Sequence, residues 1–170
     1  MDFMDDQEGF KVVLTGETNV GKTSLFYQYF DGKFDPQNQP SKSTNFRRKE
    51  IKLADNSLVP IDIYDIAGGI KYRNISRLFT NNAKAIILMY DITDEKTFKE
   101  LKDFWYNENK EFDAIFFVVA NKCDLEDKKV KDEEGEEFAK SIGAGFFSVS
   151  AKDNIGLSNL LEKIAEALKH

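Results

Sequence analysis

One eight-residue segment constrains the fold of this chain most: Gly16-Glu17-Thr18-Asn19-Val20-Gly21-Lys22-Thr23. It fits the pattern G-x-x-x-x-G-K-[ST]. Phe10–Leu14 before it is typical of a short strand, and Ser24–Phe30 after it opens like a helix. A strand, a glycine-rich turn and a helix N-terminus aim several backbone N–H groups and the positive end of a helix dipole at one point. The segment therefore predicts a phosphate-binding loop in an α/β fold.

The residue types of this loop suit the phosphates of a nucleotide. Gly16 and Gly21 permit the turn and the close approach of backbone to phosphate. Lys22 can reach the β- and γ-phosphates, and the Thr23 hydroxyl can bind Mg²⁺. A chance glycine-rich turn is the alternative, and the strand–helix setting disfavours it. The predicted phosphate contacts are Thr18, Asn19, Val20, Gly21, Lys22, Thr23 and Ser24.

A second motif, Asn121-Lys122-Cys123-Asp124, indicates which base accompanies the phosphates. It follows Ile115–Ala120, an apolar run that predicts a buried parallel strand, and ligands of open α/β sheets bind where strands end. The Asp124 carboxylate can accept two hydrogen bonds from guanine, whereas adenine offers no matching pair of donors. Asn121 can tie this loop to the phosphate loop, and the Lys122 stem can cover the purine. Alone, the motif is also an ordinary polar turn.

A third loop, Ser150-Ala151-Lys152, follows another strand candidate, Phe146–Val149. The backbone N–H of Ala151 could bind the carbonyl oxygen of guanine. The motif is weak by itself, but it agrees with the second one, so Ser150, Ala151 and Lys152 are predicted base contacts.

Composition narrows the class of protein. The net charge of −6 disfavours nonspecific nucleic-acid binding, so no nucleic-acid partner is expected. No apolar run is long enough to cross a bilayer, and no signal peptide is visible. Cys123 is the only cysteine, which excludes a disulfide framework and favours the cytoplasm. We expect a frayed acidic N-terminus at residues 1–8 and one domain at residues 9–170.

Strand and helix patterns alternate along the chain, which is typical of an α/β fold. The further predicted strands are an antiparallel hairpin of Asn45–Leu53 and Leu58–Tyr64, and Ala85–Tyr90. The further predicted helices are Glu95–Asn107, Asp132–Ile142 and a last one with a core-facing stripe from Leu157 to Leu168.

The chain resembles a small GTPase of the Ras superfamily, closest to the Rab branch. The resemblance covers about residues 9 to 170 and rests on the order of Gly16–Ser24, Leu88–Asp94 with Thr97-Phe98, Asn121–Leu125 and Ser150–Lys152. It implies a three-layer α/β fold: a mostly parallel six-stranded sheet with one antiparallel edge hairpin and helices on both faces. It also implies that the chain binds GTP and GDP with Mg²⁺ and hydrolyses GTP.

The first switch of the family contains a threonine that binds Mg²⁺ and the γ-phosphate. Ser41 stands in its register, eighteen residues after Thr23, and Phe34 stands where a side chain packs against guanine. Serine keeps the hydroxyl but lacks the methyl that restricts χ1, so ordering it should cost more entropy. Alternatively, Ser41 is a solvent-facing loop residue. Lys42–Asn45 departs from the largely apolar run of Rabs, which leaves effector recognition through it open.

The second switch begins at Asp65, where a strand ends. By the resemblance, Asp65 holds Mg²⁺ through water and the Gly68 N–H binds the γ-phosphate. Gly69 replaces the glutamine that orients the attacking water, so intrinsic hydrolysis should be slow and the segment from Gly69 to Thr80 mobile. The catalytic positions are then Lys22, Ser41, Gly68 and Gly69.

Two functions remain open at this stage. The first is a molecular switch that regulates vesicle or membrane trafficking through effectors, exchange factors and activating proteins, which would bind residues 34–50 and 65–82. The second is a non-catalytic GTP-binding scaffold, favoured by Gly69. A P-loop kinase or ATPase is disfavoured by Asp124. Membrane attachment is expected only if a prenylated tail follows His170, which would place the protein on the cytosolic face of endomembranes.

Overall fold

The computed structural model describes residues 8–37 and 44–170 of the chain. The strands in these residues are β1 (Phe10–Thr15), β2 (Asn45–Lys52), β3 (Leu58–Asp65), β4 (Ala85–Asp91), β5 (Ile115–Asn121) and β6 (Gly145–Ser148). The helices are α1 (Lys22–Asp31), α2 (Ile70–Arg73), α3 (Ser76–Thr80), α4 (Glu95–Glu100), α5 (Tyr106–Asn109), α6 (Asp132–Ser141) and α7 (Leu157–Lys169).

The strands form one sheet in the order β2-β3-β1-β4-β5-β6. β1 lies between β3 and β4 and is parallel to both, and β5 and β6 continue the parallel part. β2 is antiparallel to β3 at the edge, and Asn45 lies opposite Asp65. Every residue of β4 is buried, which explains why its sequence is an unbroken apolar run from Ala85 to Tyr90. The predicted mostly parallel sheet with one antiparallel edge hairpin is confirmed.

Apolar side chains fill both faces of this sheet. On one face, β1, β3 and β4 pack against α1 and α7 through residues that include Leu25, Phe26, Leu160 and Ile164. On the other, β4 and β5 pack against the helices after β4 and against α6 through Phe98, Leu101, Trp105 and Ala139. The predicted three-layer arrangement follows from these two cores. The stripe of α7 predicted to face the core is buried from Leu157 to Ala165.

Several element boundaries differ from the sequence-based expectations. Helix α1 begins at Lys22 rather than at Ser24, because Gly21 already caps it in a left-handed conformation. The segment predicted as the helix Glu95–Asn107 extends to Asn109, and the π-helical turn Leu101–Trp105 joins α4 to α5. A π turn accommodates an extra residue without breaking the helix, and here it buries both Leu101 and Trp105.

Most of the predicted frayed segment, residues 1–8, lies outside the described residues, whereas most of the predicted domain, residues 9–170, lies within them. Of the predicted frayed segment, only Glu8 belongs to the described residues, and it is exposed. None of the helices that the structure describes is long and apolar enough to span a bilayer.

Candidate nucleotide-binding site

A cleft of about 360 Å³ lies where β1, β3 and β5 end and the phosphate, second-switch and Asn121 loops begin. This is the edge at which ligands of open parallel sheets bind. Most of the predicted contacts line it: Thr18, Asn19, Gly21, Lys22, Thr23, Ser24, Phe34, Gly68, Asn121, Lys122, Asp124, Ala151 and Lys152. Val20 and Ser150 are buried behind the cleft. Ser41, the predicted first-switch ligand, lies outside the described residues.

The phosphate loop needs glycine at position 21. Gly21 has φ of 101° and caps α1, and a Cβ there would overlap the Asn121 amide nitrogen. The first amides of α1 belong to Lys22, Thr23 and Ser24, which are free of intrahelical acceptors at a helix start. All three residues line the cleft, so this end of it can bind an anion.

Lys22 points into the floor of the cleft and is only 6% exposed. Its Nζ donates to the carbonyl oxygens of Gly16 at 2.9 Å and Glu17 at 2.7 Å. Burial lowers the pKa of Lys22 to about 8, although Asp65 and Glu17 oppose the shift. A phosphate beside Nζ would supply the missing negative charge and stabilise the ammonium form.

Asp65 and Asn45 lie next to Thr23, which lines the cleft. Asp65 Oδ2 accepts hydrogen bonds from Thr23 Oγ1 at 2.7 Å and from Asn45 Nδ2 at 3.1 Å. Burial raises the pKa of this fully buried carboxyl, and the bond from Thr23 is the largest effect that opposes the rise. Asp65 Oδ1 is buried and has no hydrogen-bond partner among the described residues.

These side chains fit the Mg²⁺ ion that the fold family implies. The Thr23 hydroxyl donates its hydrogen to Asp65, so its lone pairs can bind a cation. The orphaned Asp65 Oδ1 can accept a hydrogen bond from a metal-bound water. In residues 8–37 and 44–170 no cluster of three His, Cys, Asp or Glu side chains could hold a metal by itself. A cation here would therefore depend on hydroxyl, water and phosphate oxygens.

Gly68 and Gly69 of the second switch differ in whether the fold requires glycine at that position. A Cβ at Gly68 would overlap the Gly16 carbonyl oxygen and stand 2.7 Å from Lys22 Nζ, so close backbone approach requires this glycine. Gly69 is extended, with φ of −67° and ψ of 160°. A Cβ at Gly69 would meet only Tyr72, at 3.6 Å, which is ordinary van der Waals contact. The fold therefore does not demand glycine at position 69.

Asn121 ties three loops together at the base end of the cleft. Its Nδ2 donates to the Val20 carbonyl at 2.8 Å, as the sequence suggested, and its Oδ1 accepts from the Ala151 N–H at 3.1 Å. The N–H that we expected to bind guanine is thus already engaged with Asn121, and it would have to be shared between the two acceptors.

The ammonium group of Lys122 contacts two residues, one in the phosphate loop and one at the end of β4. Its Nζ donates to the Asn19 carbonyl at 2.9 Å and pairs with Asp91 Oδ2 at 2.7 Å. Asp91 ends β4, and its Oδ1 accepts from the N–H and hydroxyl of Thr93. These contacts stretch the Lys122 stem along the wall where a purine would lie.

Asp124 and Ser150 form the remaining part of the base site. Ser150 Oγ donates to Asp124 Oδ1 at 2.7 Å and accepts from the Asp153 N–H, which fixes the direction of the carboxylate. Gln28 of α1 supports the neighbouring loop from below, because its Nε2 donates to the Ala151 carbonyl at 2.9 Å.

Sequence reasoning missed the residues that act behind the cleft. Glu17 forms an ion pair with Arg73 of α2 and accepts a hydrogen bond from the indole N–H of Trp105 at 2.9 Å. Arg73 also pairs with Glu100 at 3.1 Å and lies over the Phe104 ring. We call these five residues the Arg73 cluster. Only the variable position of Glu17 inside the motif was visible in the sequence, and nothing there indicated its partners.

Known proteins with similar sequences show which family the chain belongs to. A family profile described as Ras family matches residues 11–170. The human Ras-related protein Rab-3A is 36% identical over 163 residues, which cover 94% of this chain and 73% of that protein. Human Ras-related protein Rab-3B and rat GTP-binding protein Rab-3D are each 34% identical, and the matches cover 94% of this chain and 74% of theirs. The chain therefore belongs to the Ras family of small GTPases, as a Rab-like member.

Proposed function

We propose that this protein is a GTP- and GDP-binding switch that holds Mg²⁺ and hydrolyses GTP slowly on its own. The observation that supports slow hydrolysis is the absence of a side chain at Gly69. Its backbone is extended and has room for a side chain, yet no side chain is there. A glutamine amide at this position would orient the attacking water, and glycine cannot do so.

The residues of the cleft have clear parts in this reaction. The Lys22 ammonium and the first amides of α1 stabilise negative charge on the phosphates, and Gly68 offers its N–H at the same end. Mg²⁺, when bound, neutralises charge on the β- and γ-phosphate oxygens. Thr23, Ser41 and, through water, Asp65 would hold that ion. Asp124, with Asn121, Lys122 and the loop Ser150–Lys152, selects guanine.

Partner recognition would use the surface around the switches, residues 34–50 and 65–82. Phe46, which stacks against Tyr64 with ring centroids 4.8 Å apart, is 49% exposed, and Leu78 is 75% exposed. An apolar groove of about 160 Å³ in the same part of the chain is lined by residues including Thr44, Tyr72 and Phe79. Exposed apolar surface of this kind supports binding of effectors, exchange factors and activating proteins.

The likeness to Rab-3 proteins supports a role in vesicle or membrane trafficking, with the protein in the cytoplasm or on the cytosolic face of endomembranes. Attachment to a membrane would require a prenylated tail beyond His170. No nucleic-acid partner is proposed, because the net charge is −6.

The Arg73 cluster favours a second candidate function, a GTP-binding scaffold without turnover. Arg73 belongs to α2, inside the second switch, yet its ion pairs are with Glu17 of the phosphate loop and Glu100 of α4. None of these contacts involves the γ-phosphate. A second switch anchored in this way would keep one arrangement in both nucleotide states, which suits a scaffold more than a switch.

Single-turnover hydrolysis of GTP-loaded protein with Mg²⁺ tests the first proposal. We expect Gly69→Gln to speed hydrolysis by about tenfold or more, since positioned groups contribute on the order of 10² or more in such steps. Lys71→Gln, which adds the same amide two residues further on, is the matched control and should leave the rate unchanged. If the wild type already hydrolyses GTP at ordinary family rates, the account of Gly69 is wrong. Tight GTP binding without turnover, even in Gly69→Gln, supports the scaffold.

A further inference from the structure

Asn45 connects the end of the first switch to the Asp65 carboxylate. It is the first residue of β2 and lies directly opposite Asp65 in the antiparallel ladder. Its Nδ2 donates to Asp65 Oδ2 at 3.1 Å, and its Oδ1 accepts from the Tyr27 hydroxyl at 3.3 Å. The amide is therefore oriented from both sides, by α1 and by β3.

The consequence for Asp65 is a fixed orientation. Thr23 and Asn45 both donate to Oδ2, from the helix side and the strand side respectively. Two donors on one oxygen prevent the carboxylate from exchanging its oxygens by rotation. Oδ1 is thereby left buried and unpartnered among the described residues, although a buried carboxylate oxygen normally has a hydrogen bond.

We propose that Asn45 is a positioning residue for the divalent cation: by holding Asp65 Oδ2 it presents Oδ1 to a water on the metal. This inference rests on the proposed function, because it assumes that the cleft binds Mg²⁺ with the nucleotide. It gives Asn45 of β2, which lies outside all of the sequence motifs, a part in metal binding. Groups that orient the partners of a metal change its affinity by roughly 10- to 100-fold when they are removed.

A purely structural role for Asn45 makes a different prediction. Cross-strand pairs stabilise a hairpin whether or not a metal is present. Valine is a better strand former than asparagine, so Asn45→Val would keep or strengthen the β2–β3 pairing while it removes the donor to Asp65. The two roles are thus separable by comparing Asn45→Ala with Asn45→Val.

The test is a titration of GDP-loaded protein with Mn²⁺, followed by electron paramagnetic resonance of the free ion. We expect Asn45→Ala and Asn45→Val to weaken Mn²⁺ binding about tenfold. The affinity for a fluorescent GDP analogue, measured in excess EDTA, should be unchanged in both. Lys52→Ala, at the exposed far end of β2, is the control and should bind Mn²⁺ like the wild type.

The outcomes separate this inference from the proposed function. Wild-type protein that binds GDP but no Mn²⁺ refutes the metal site itself. Wild-type protein that binds Mn²⁺ while both Asn45 variants retain its affinity within twofold overturns the role of Asn45. Restoration of Mn²⁺ binding by valine, or a loss of GDP affinity in EDTA that matches the loss of Mn²⁺ affinity, assigns Asn45 a structural role and also overturns the proposal.

Discussion

Arg73 in the second switch forms an ion pair with Glu17 in the phosphate loop, 56 residues earlier in the chain. The side chains are only 22% and 17% exposed, so this pair is better shielded from solvent than an ordinary surface pair. Glu17 also accepts the indole N–H of Trp105, which is fully buried. The phosphate loop, α2 and the π-helical turn are therefore joined behind the nucleotide cleft.

Arg73→Ala should loosen α2 and destabilise the protein. The substitution leaves the Glu17 charge in a partly buried place, with Trp105 as its one remaining side-chain donor among residues 8–37 and 44–170, so we expect the free energy of unfolding to fall by about 2 kcal/mol. Hydrogen exchange of the α2 amides should become faster in both nucleotide states. Urea unfolding and exchange measured by mass spectrometry check the two effects.

Lys71→Ala is the control for Arg73→Ala, because Lys71 is exposed on the same short helix and should change stability by less than about 0.5 kcal/mol. If hydrogen exchange in α2 is already fast in wild-type GDP-bound protein and Arg73→Ala does not alter it, the ion pairs of Arg73 do not hold α2 in place in solution. That result would also remove the support for the scaffold function.

The sequence predicted what depends on local pattern and could not predict what depends on distant pairing. The motif Gly16–Thr23 predicts a loop between a strand and a helix, and the apolar run of β4 predicts another strand. Each of these predictions uses only residues that are neighbours in the sequence. Arg73 meets Glu17 and Glu100 only after the chain has folded, and no short-range pattern marks such a pair. The register that places Asn45 opposite Asp65 likewise depends on the whole hairpin.

The π-helical turn and the role of Gly69 illustrate the same limit. A 3.6-residue period predicts a helix after Glu95, but five residues of it, Leu101–Trp105, adopt the wider turn that brings Trp105 to Glu17. The sequence shows glycine at position 69, whereas only the structure shows that this backbone is extended and has room for another side chain.

Asp124→Ala should abolish the preference for guanine. The carboxylate is oriented by Ser150, and two hydrogen bonds from guanine to a charged acceptor are worth roughly 3 kcal/mol or more together. We therefore expect GDP affinity to fall by about 100-fold or more, while the affinity for ADP, which we expect to be weak already, should change much less. Competition of the two nucleotides against a fluorescent GDP analogue measures the ratio.

Asp35→Ala is the comparison for Asp124→Ala, since Asp35 is an exposed carboxylate that lines the same cleft and has no proposed contact with the base. It should keep the preference for GDP over ADP even if both affinities change. An unaltered GDP to ADP ratio in Asp124→Ala would show that another group selects the base.

The nucleotide-free protein should carry a pH-dependent cost at Lys22. Burial lowers its pKa to about 8 in the folded chain, whereas an unfolded lysine keeps a pKa of about 10.4. Between these values the unfolded chain binds the extra proton, so stability rises with pH in that window. Relative to Lys22→Met, the wild type should gain about 2 to 3 kcal/mol of stability between pH 7 and pH 10.

Urea unfolding of both proteins without nucleotide, repeated at several pH values, measures this difference, and taking the difference cancels the groups that the two proteins share. With saturating GDP the gain should shrink, because a phosphate beside Nζ stabilises the ammonium and raises its pKa. A difference that stays flat from pH 7 to pH 10 without nucleotide would mean that the carbonyl oxygens of Gly16 and Glu17 already compensate the buried charge in full.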